Sequence, residues 1–337
     1  MSPWIVLVVA LIAFATALFT TPYVRRLALN VGMLDATGER RMHDQPKPRI
    51  GGIAVYLGFA FALFSALGYI IKTKQFGDLT NLHELVGLIF GGTLILMVGI
   101  WDDVMGMSPR AKLVAQCIVA AISILYGFVF PAYVTNPMHP HGDPIFLPVW
   151  LPIPLTLLWY VGMMNAINFI DGLDGLLSGI TVISSISMIA IALARGHAEI
   201  ALVLAALAGG ALGFLRYNWN PANIILGDSG ALFIGYVFAT VSLIGASKTA
   251  FAISLLVPLV ILALPVIDTA AAIVRRTRAG KKFYEADRGH FHHQLIFRFG
   301  LNVRQAVLLI YGMCVVLGVI ALLLTGGVGS LRLALTP

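Results

Sequence analysis

Charged residues are scarce in this 337-residue sequence, where Asp, Glu, Lys and Arg together make up 11% of the chain. So few charges leave only short polar connections and no separate soluble domain. The sequence has two cysteines, Cys117 and Cys314, both in apolar runs, so a disulfide framework is excluded and both are predicted to be inert core residues. Hydrophobic residues make up 59% of the chain and the mean hydropathy is +0.92. This composition indicates an integral membrane protein.

Long apolar runs recur along the whole chain, and a run of about 17 or more such residues is enough to cross a bilayer. We therefore predict an all-α polytopic membrane protein with about ten transmembrane helices, forming a single domain over residues 1–337. The first run lacks a basic segment before it and a small-residue cleavage signature, so it is predicted to be a retained helix. The runs lie at roughly 4–24, 52–71, 84–101, 111–131, 146–167, 175–194, 198–216, 229–246, 251–274 and 304–325.

Basic residues concentrate in alternate connections, with seventeen of the 22 Lys and Arg residues in the first, third, fifth, seventh and ninth. The positive-inside rule puts these odd connections in the cytoplasm and both termini outside. Most acidic residues lie on the same side, which suggests a site there for polyanions bridged by a divalent cation. The net charge of +7 follows from this bias and requires no nucleic acid.

The fifth connection carries four polar residues, Asn165, Asn168, Asp171 and Asp174, with no Lys or Arg among them. The two asparagines are three residues apart, as are the two aspartates, so each pair would share a face of a helix. Uncompensated carboxylates beside a membrane are costly and are kept where something cationic binds. The segment therefore favours a metal and phosphate site, with a plain polar turn as the alternative.

The third run ends in Asp102 and Asp103, two carboxylates at a helix C-terminus that already carries partial negative charge. The two are also expected to repel each other. Carboxylates kept at a position that the helix dipole and their mutual repulsion disfavour suggest a functional site. Lys112, at the start of the fourth helix, is close enough to compensate the pair or to hold a phosphate.

The seventh connection places Asp228 and Ser229 directly before an apolar run. Either side chain is expected to cap the next helix, whose free amides and positive dipole end would face a phosphate. Asp228 is also a candidate ligand of Mg²⁺, an ion that binds few carboxylates and keeps several waters. Capping does not account for the three neighbouring asparagines, Asn218, Asn220 and Asn223.

The ninth connection contains three histidines within four residues, His290, His292 and His293. A zinc site is the competing interpretation, but no cysteine lies nearby and the other candidate ligands are hard carboxylates. We expect these imidazoles to donate hydrogen bonds to phosphate or sugar.

In combination and order, five motifs resemble the polyprenyl-phosphate N-acetylhexosamine-1-phosphate transferase family. The resemblance runs from about residue 25 to 300, on the predicted cytoplasmic side each time. It implies transfer of a sugar 1-phosphate from a UDP-sugar to polyprenyl phosphate, with release of UMP and with Mg²⁺, or alternatively Mn²⁺, as cofactor. The motifs are Arg40-Arg41 with His43, Pro46, Pro48 and Gly51-Gly52; Asp102-Asp103; Asn165 to Gly175; Gly227 to Gly230; and Asp287 to His293.

The family also implies roles for individual residues of this sequence. The implied metal ligands are the Asp228 carboxylate and the amide oxygen of Asn168. The implied catalytic residues are Asp102, Asp103, Asp228, His290, His292 and His293. The implied substrate-binding residues are Lys112, Asn165, Asn168, Asp171, Asp174, Arg288, His43 and Lys47.

The spacing His290-Phe-His292-His293 resembles the branch that uses UDP-N-acetylglucosamine. The branch that takes UDP-MurNAc-pentapeptide typically has three contiguous histidines, and that phospho-MurNAc-pentapeptide translocase is the alternative function. A cation-coupled transporter and a CDP-alcohol phosphotransferase are further alternatives, but a transporter should carry its key acids near the bilayer centre, where the sequence offers only Asp268.

The resemblance implies a bacterial plasma-membrane enzyme at the first membrane step of a cell-surface glycopolymer pathway. Its partners would be a UDP-N-acetylhexosamine, polyprenyl phosphate and membrane lipids, and both a monomer and a homodimer stay open.

Overall fold

The computed structural model describes residues 3–35, 47–72, 79–134, 145–248, 263–278 and 291–325. These residues are almost entirely helical, which confirms the predicted all-α fold class. The helices are α1 Pro3–Val31, α2 Gly52–Lys72, α3 Leu79–Met105, α4 Pro109–Leu125, α5 Pro152–Ile170, α6 Leu176–Ala194, α7 Ala198–Asn218, α8 Gly227–Lys248, α9 Ala263–Arg278, α10 Phe291–Phe297 and α11 Val303–Leu324.

Within the described residues, eight helices are long and apolar enough to cross a membrane, namely α1 to α3, α5 to α8 and α11. The predicted fourth run forms α4, which is 17 residues long. The predicted ninth run begins outside the described residues and continues as α9. The first helix continues seven residues beyond the predicted edge at residue 24, with Pro22 inside it.

Two pairs of very short strands close connections between helices. β1 (Leu34–Asp35) pairs antiparallel with β2 (Lys47–Pro48), with Leu34 opposite Pro48. β3 (Tyr133–Val134) pairs antiparallel with β4 (Ile145–Phe146). The first pair matters for the site because it leads the chain from α1 toward the start of α2.

Helix α8 lies at the centre of the bundle, where it packs against α2, α3 and α5. The apolar stretch of α8 is 94% buried, which is more than for any other membrane-length helix in the described part of the chain. Its first turn touches neighbouring backbones directly: a Cβ on Gly52 of α2 would overlap the Gly230 amide, and one on Gly99 of α3 would overlap Ser229. Glycine at these two positions lets three helices meet at the start of α8.

The odd connections meet at one end of the bundle, as their shared chemistry predicted. Lys47 of the first connection binds Asp174 of the fifth, with 2.9 Å between Nζ and Oδ2. Arg304, which follows the ninth connection, donates from Nε to the carbonyl of Asn220 in the seventh, at 3.0 Å. Connections far apart in sequence therefore form one polar end of the molecule.

Candidate functional site

A tight turn between α3 and α4 brings Asp102 and Lys112 together. Gly106 adopts a positive φ of 71°, and the Ser108 side chain caps α4 by accepting from the Ala111 amide. Asp102 Oδ1 accepts from the Met107 amide at 2.7 Å, which leaves Oδ2 to bind Lys112 Nζ at 2.8 Å. The expectation that Lys112 compensates this carboxylate is confirmed.

The neighbouring carboxylate, Asp103, caps α8 from another helix. Its Oδ1 accepts from the Asp228 amide at 2.8 Å and its Oδ2 from the Ser229 amide at 2.9 Å. The prediction that Asp228 or Ser229 caps this helix is therefore wrong, because α8 begins at Gly227, whose φ is 77°, and both residues lie in its first turn. These two amides also do not face a phosphate, since Asp103 occupies them.

Asp228 is the point where four elements converge. Its Oδ2 lies 2.6 Å from Lys112 Nζ, so this one ammonium bridges Asp228 and Asp102. Its Oδ1 accepts from Asn168 Nδ2 of α5 at 2.8 Å and lies 3.3 Å from the Arg49 guanidinium. Side chains from the first, third, fifth and seventh connections thus meet at a single carboxylate.

The two asparagines of α5 contact different partners although both lie on the helix as predicted. Asn168 reaches Asp228, whereas Asn165 Nδ2 donates to Gln116 Oε1 of α4 at 2.7 Å and to the Val161 carbonyl at 2.8 Å. Gln116 is fully buried. Asn165 therefore joins α5 to α4, and no described contact links it to the carboxylates.

Asp171 and Asp174 do not share a face of a helix, because α5 ends at Ile170. The Asp174 side chain is 1% exposed, and its Oδ2 accepts from Lys47 Nζ, Asn220 Nδ2 and the Ala222 amide at 2.9, 3.0 and 3.0 Å. In this structure Asp174 and Lys47 bind each other and tie three connections together.

Two of the three asparagines before α8 serve the fold. Asn218 Oδ1 accepts from the Gly175 amide and the Ser178 hydroxyl at the start of α6, and its Nδ2 donates to the Ile224 carbonyl. Asn220 binds Asp174 as described above. Capping does not account for these two asparagines, as expected from the sequence, because each instead satisfies buried polar groups of neighbouring turns.

Asp171 differs from the other carboxylates because no described residue gives it a hydrogen bond or ion pair. Burial, reinforced by repulsion from Asp228, raises its pKa to about 8. Burial alone would lower the pKa of Arg49, yet the nearby carboxylates, Asp103 and Asp228 foremost, raise it above its usual value. Acidic groups thus outnumber bases at this centre, which favours an added cation.

Several predicted site residues lie outside the described part of the chain. His43, Arg288 and His290 belong to this group. His292 and His293 lie on α10, whose first amide, that of Phe291, donates to Asp268 Oδ1 of α9 at 2.9 Å. Asp268, considered from sequence only as a mid-membrane acid, therefore anchors the start of the histidine-bearing helix.

Asp228, Asp102 and the Asn168 amide are the described groups here that could hold a metal ion. Among the described residues, no three Asp, Glu, His or Cys side chains converge to enclose an ion. Mg²⁺ usually takes one or two carboxylates and fills its other positions with water and phosphate oxygens. Asp228 and Asp102, joined through Lys112, with the Asn168 amide beside them, match that requirement.

Two residues with polar contacts near the site, Arg49 and Gln116, are not among the candidates named from the sequence. Arg49 lies between Pro48 and Gly51-Gly52, a pattern typical of a constrained turn. Gln116 lies in an apolar run, where a buried amide signals a hydrogen-bonded partner across helices. Neither signal names the partner.

The sequence is similar to known proteins along most of its length. A family model described as glycosyl transferase family 4 matches residues 85–246, which span α3 to α8 and include Asp102, Lys112, Asn168 and Asp228. The chain is 34% identical over 306 residues to a Bacillus subtilis protein named "Probable undecaprenyl-phosphate N-acetylglucosaminyl 1-phosphate transferase", covering 91% of this chain and 81% of the relative.

Two further relatives carry similar names. The chain is 34% identical to a decaprenyl-phosphate N-acetylglucosaminephosphotransferase of Mycolicibacterium smegmatis, covering 90% of this chain and 78% of the relative. It is 28% identical to an undecaprenyl-phosphate alpha-N-acetylglucosaminyl 1-phosphate transferase of Escherichia coli, covering 87% of this chain and 77% of the relative.

Proposed function

This chain belongs to the polyprenyl-phosphate N-acetylhexosamine-1-phosphate transferase family, and from that membership we propose that it transfers N-acetylglucosamine 1-phosphate from UDP-N-acetylglucosamine to a polyprenyl phosphate. UMP leaves as the second product. The named activities of relatives that cover most of the chain favour this reaction over a pentapeptide translocase or a transporter. The product would start a cell-surface glycopolymer in a bacterial plasma membrane.

The observation that carries the proposal is the Lys112 ammonium between Asp102 and Asp228, at 2.8 and 2.6 Å. Attack of one phosphate on a diphosphate gathers several negative charges, so catalysis depends on positioning and on charge neutralisation. A centre that holds both bases and carboxylates supports such a reaction, since the bases bind phosphate oxygens and the carboxylates bind a cation.

Asp228 and Asn168 are the residues that would hold Mg²⁺, with Asp102 next to them. When bound, the ion would supply positive charge that neutralises the diphosphate oxygens. Lys112 would bind the donor diphosphate once its two carboxylates have another cation. Asp103 keeps Asp228 in place through the amides of α8, which is a positioning role and not that of a base.

No aspartate is required as a general base in this scheme. The second pKa of a phosphate monoester is about 6, so the acceptor is already largely dianionic near neutral pH. Asp171, whose pKa burial raises to about 8, would keep its proton at that pH in the metal-free protein.

The histidine-bearing helix is proposed to cover the sugar phosphate. Its start is fixed to α9 by the contact between Phe291 and Asp268. With the odd connections on the cytoplasmic face, where UDP-sugars are made, the donor would reach the site directly and both termini would lie outside.

A direct test is incubation of the purified protein with polyprenyl phosphate, Mg²⁺ and a panel of UDP-sugars, with detection of UMP and identification of the lipid product. We expect UMP release with UDP-N-acetylglucosamine and its loss when EDTA removes Mg²⁺. Solute uptake by liposomes that contain the protein, together with no UMP from any donor, would instead support a transporter.

A further inference from the structure

The segment that carries Arg49 is fastened to the segment that precedes α8. The Ile225 amide donates to the Pro48 carbonyl at 3.0 Å, the Gly51 amide donates back to the Ile225 carbonyl at 3.0 Å, and the Gly52 amide donates to the Leu226 carbonyl at 2.9 Å. Arg49 lies within this ladder. Its backbone therefore has a fixed position next to the first turn of α8.

The residue that follows Arg49 adopts an unusual backbone conformation. Ile50 has a φ of 105° and is 1% exposed. A β-branched residue disfavours this region strongly, and such a conformation persists where the surrounding structure imposes it, often at functional sites. The Ile50 side chain packs in the core, and the neighbouring Arg49 side chain contacts the carboxylates.

Arg49 forms its shorter ion pair with Asp103, where Nε lies 2.8 Å from Oδ1. The Asp103 side chain is fully buried, whereas that of Arg49 is 23% exposed. A buried carboxylate needs a paired charge, because losing the partner leaves the charge uncompensated. Asp103 in turn holds the amides of Asp228 and Ser229, so the contacts run from Arg49 through Asp103 to the first turn of α8.

We propose that Arg49 is a positioning residue for the transfer reaction: it keeps the Asp103 carboxylate on the amides of α8 and thereby fixes the direction of the Asp228 side chain. The role rests on the proposed function, in which Asp228 binds the metal ion. The longer 3.3 Å contact between Arg49 and Asp228 is secondary, since a cation bound to Asp228 would replace it.

The alternative role for Arg49 is direct binding of the donor diphosphate, and a double-mutant cycle separates the two. The variants are Arg49→Gln, Arg49→Lys, Asp103→Asn and the pair Arg49→Gln with Asp103→Asn. Arg25→Gln is the matched control. Arg25 Nε also binds the segment before α8, since it donates to the Asn223 carbonyl at 3.1 Å. None of the described contacts of Arg25 is with a carboxylate.

We expect Arg49→Gln to lower kcat by about a hundredfold, the scale of a slightly misplaced reactive group, with KM for the UDP-sugar nearly unchanged. It should also raise the Mg²⁺ concentration needed for half-maximal activity. Arg49→Lys should recover part of the loss because it restores the charge. The double variant should be no worse than the poorer single variant, since both changes break the same connection.

Losses that multiply in the double variant, or a raised KM for the donor with kcat intact, would overturn the proposal in favour of direct binding. Thermal unfolding of the metal-free protein gives a second reading that needs no turnover. There, Arg49→Gln and Asp103→Asn should lower Tm by amounts that do not add, while Arg25→Gln leaves Tm unchanged.

The Tm measurements also separate a failure of the proposed function from a failure of the proposed role of Arg49. If the wild type released no UMP from any donor, the proposed function would fail, and non-additive Tm values would still establish the coupling of Arg49 to Asp103. Additive Tm values would refute the coupling even in an active enzyme.

Discussion

Replacing Asp171 with Asn should change how the stability of the metal-free protein depends on pH. The pKa of Asp171 in the native protein is about 8, raised by burial and by repulsion from Asp228. Between about pH 5 and pH 7 the unfolded chain has lost this proton and the native protein keeps it. The native state therefore loses about 1.4 kcal/mol of stability per pH unit as pH rises through this window.

The Asp171→Asn variant has no proton to release at this position, so its stability relative to wild type should grow by about 3 kcal/mol between pH 5 and pH 7. Above about pH 8 the difference should level off, because both states of the wild type are then ionised. Added Mg²⁺ should reduce the effect, since a cation beside Asp228 lowers the pKa of Asp171.

The assay is thermal unfolding of the detergent-solubilised protein in EDTA at several pH values, with the difference in Tm between variant and wild type as the measured quantity. This difference removes the contribution of every group that the two proteins share. A difference for Asp171→Asn that is the same at every pH would refute the reasoning.

Three further outcomes are expected. Asp228→Asn should abolish UMP release while Tm stays close to that of the wild type, because it weakens a metal ligand at constant volume; near-normal activity at saturating Mg²⁺ would contradict this. Cysteines introduced at Gln45, Gly106 and Glu285 should react with an impermeant thiol reagent only from the cytoplasmic side and one at Pro140 only from outside; labelling of Pro140 and Glu285 variants from the same face would overturn the ten-helix topology. UDP-N-acetylglucosamine should give the highest kcat/KM, followed by UDP-N-acetylgalactosamine, and a preference for UDP-MurNAc-pentapeptide would assign the chain to the other branch.

Helix positions were predictable because the length of each apolar run is visible in the sequence. Most predicted helix ends agree with the structure within a few residues. The largest difference, the extension of α1 to Val31, has a local cause that the apolar pattern does not register. Arg25 and Arg26 end the apolar run, but the helix continues through Leu27 to Val31, where Ala28 is fully buried in the core.

The site was predictable where partners are near in sequence and not where they are distant. Asp102 and Lys112 are ten positions apart across a short turn, so their pairing followed from the sequence. Asp103 caps a helix that begins 124 positions later, and no local signal specifies that pairing. The partners of the asparagines before α8 were not predictable, because an amide that satisfies a neighbouring turn has the same sequence appearance as one that binds a ligand.

The meeting of α2, α3 and α8 at Gly52, Gly99 and the first turn of α8 has a consequence for biosynthesis. Asp228 takes its place only when α8 enters a cleft formed by helices that were made earlier, since its ion-pair partners precede it by 116 and 179 positions. Until α8 has entered the membrane, the growing chain has Arg49 and Lys112 and their partners Asp103 and Asp102, but it lacks the carboxylate of Asp228 that both bases contact. The site therefore stays incomplete until α8 is inserted, and a nascent chain that ends before α8 cannot form it.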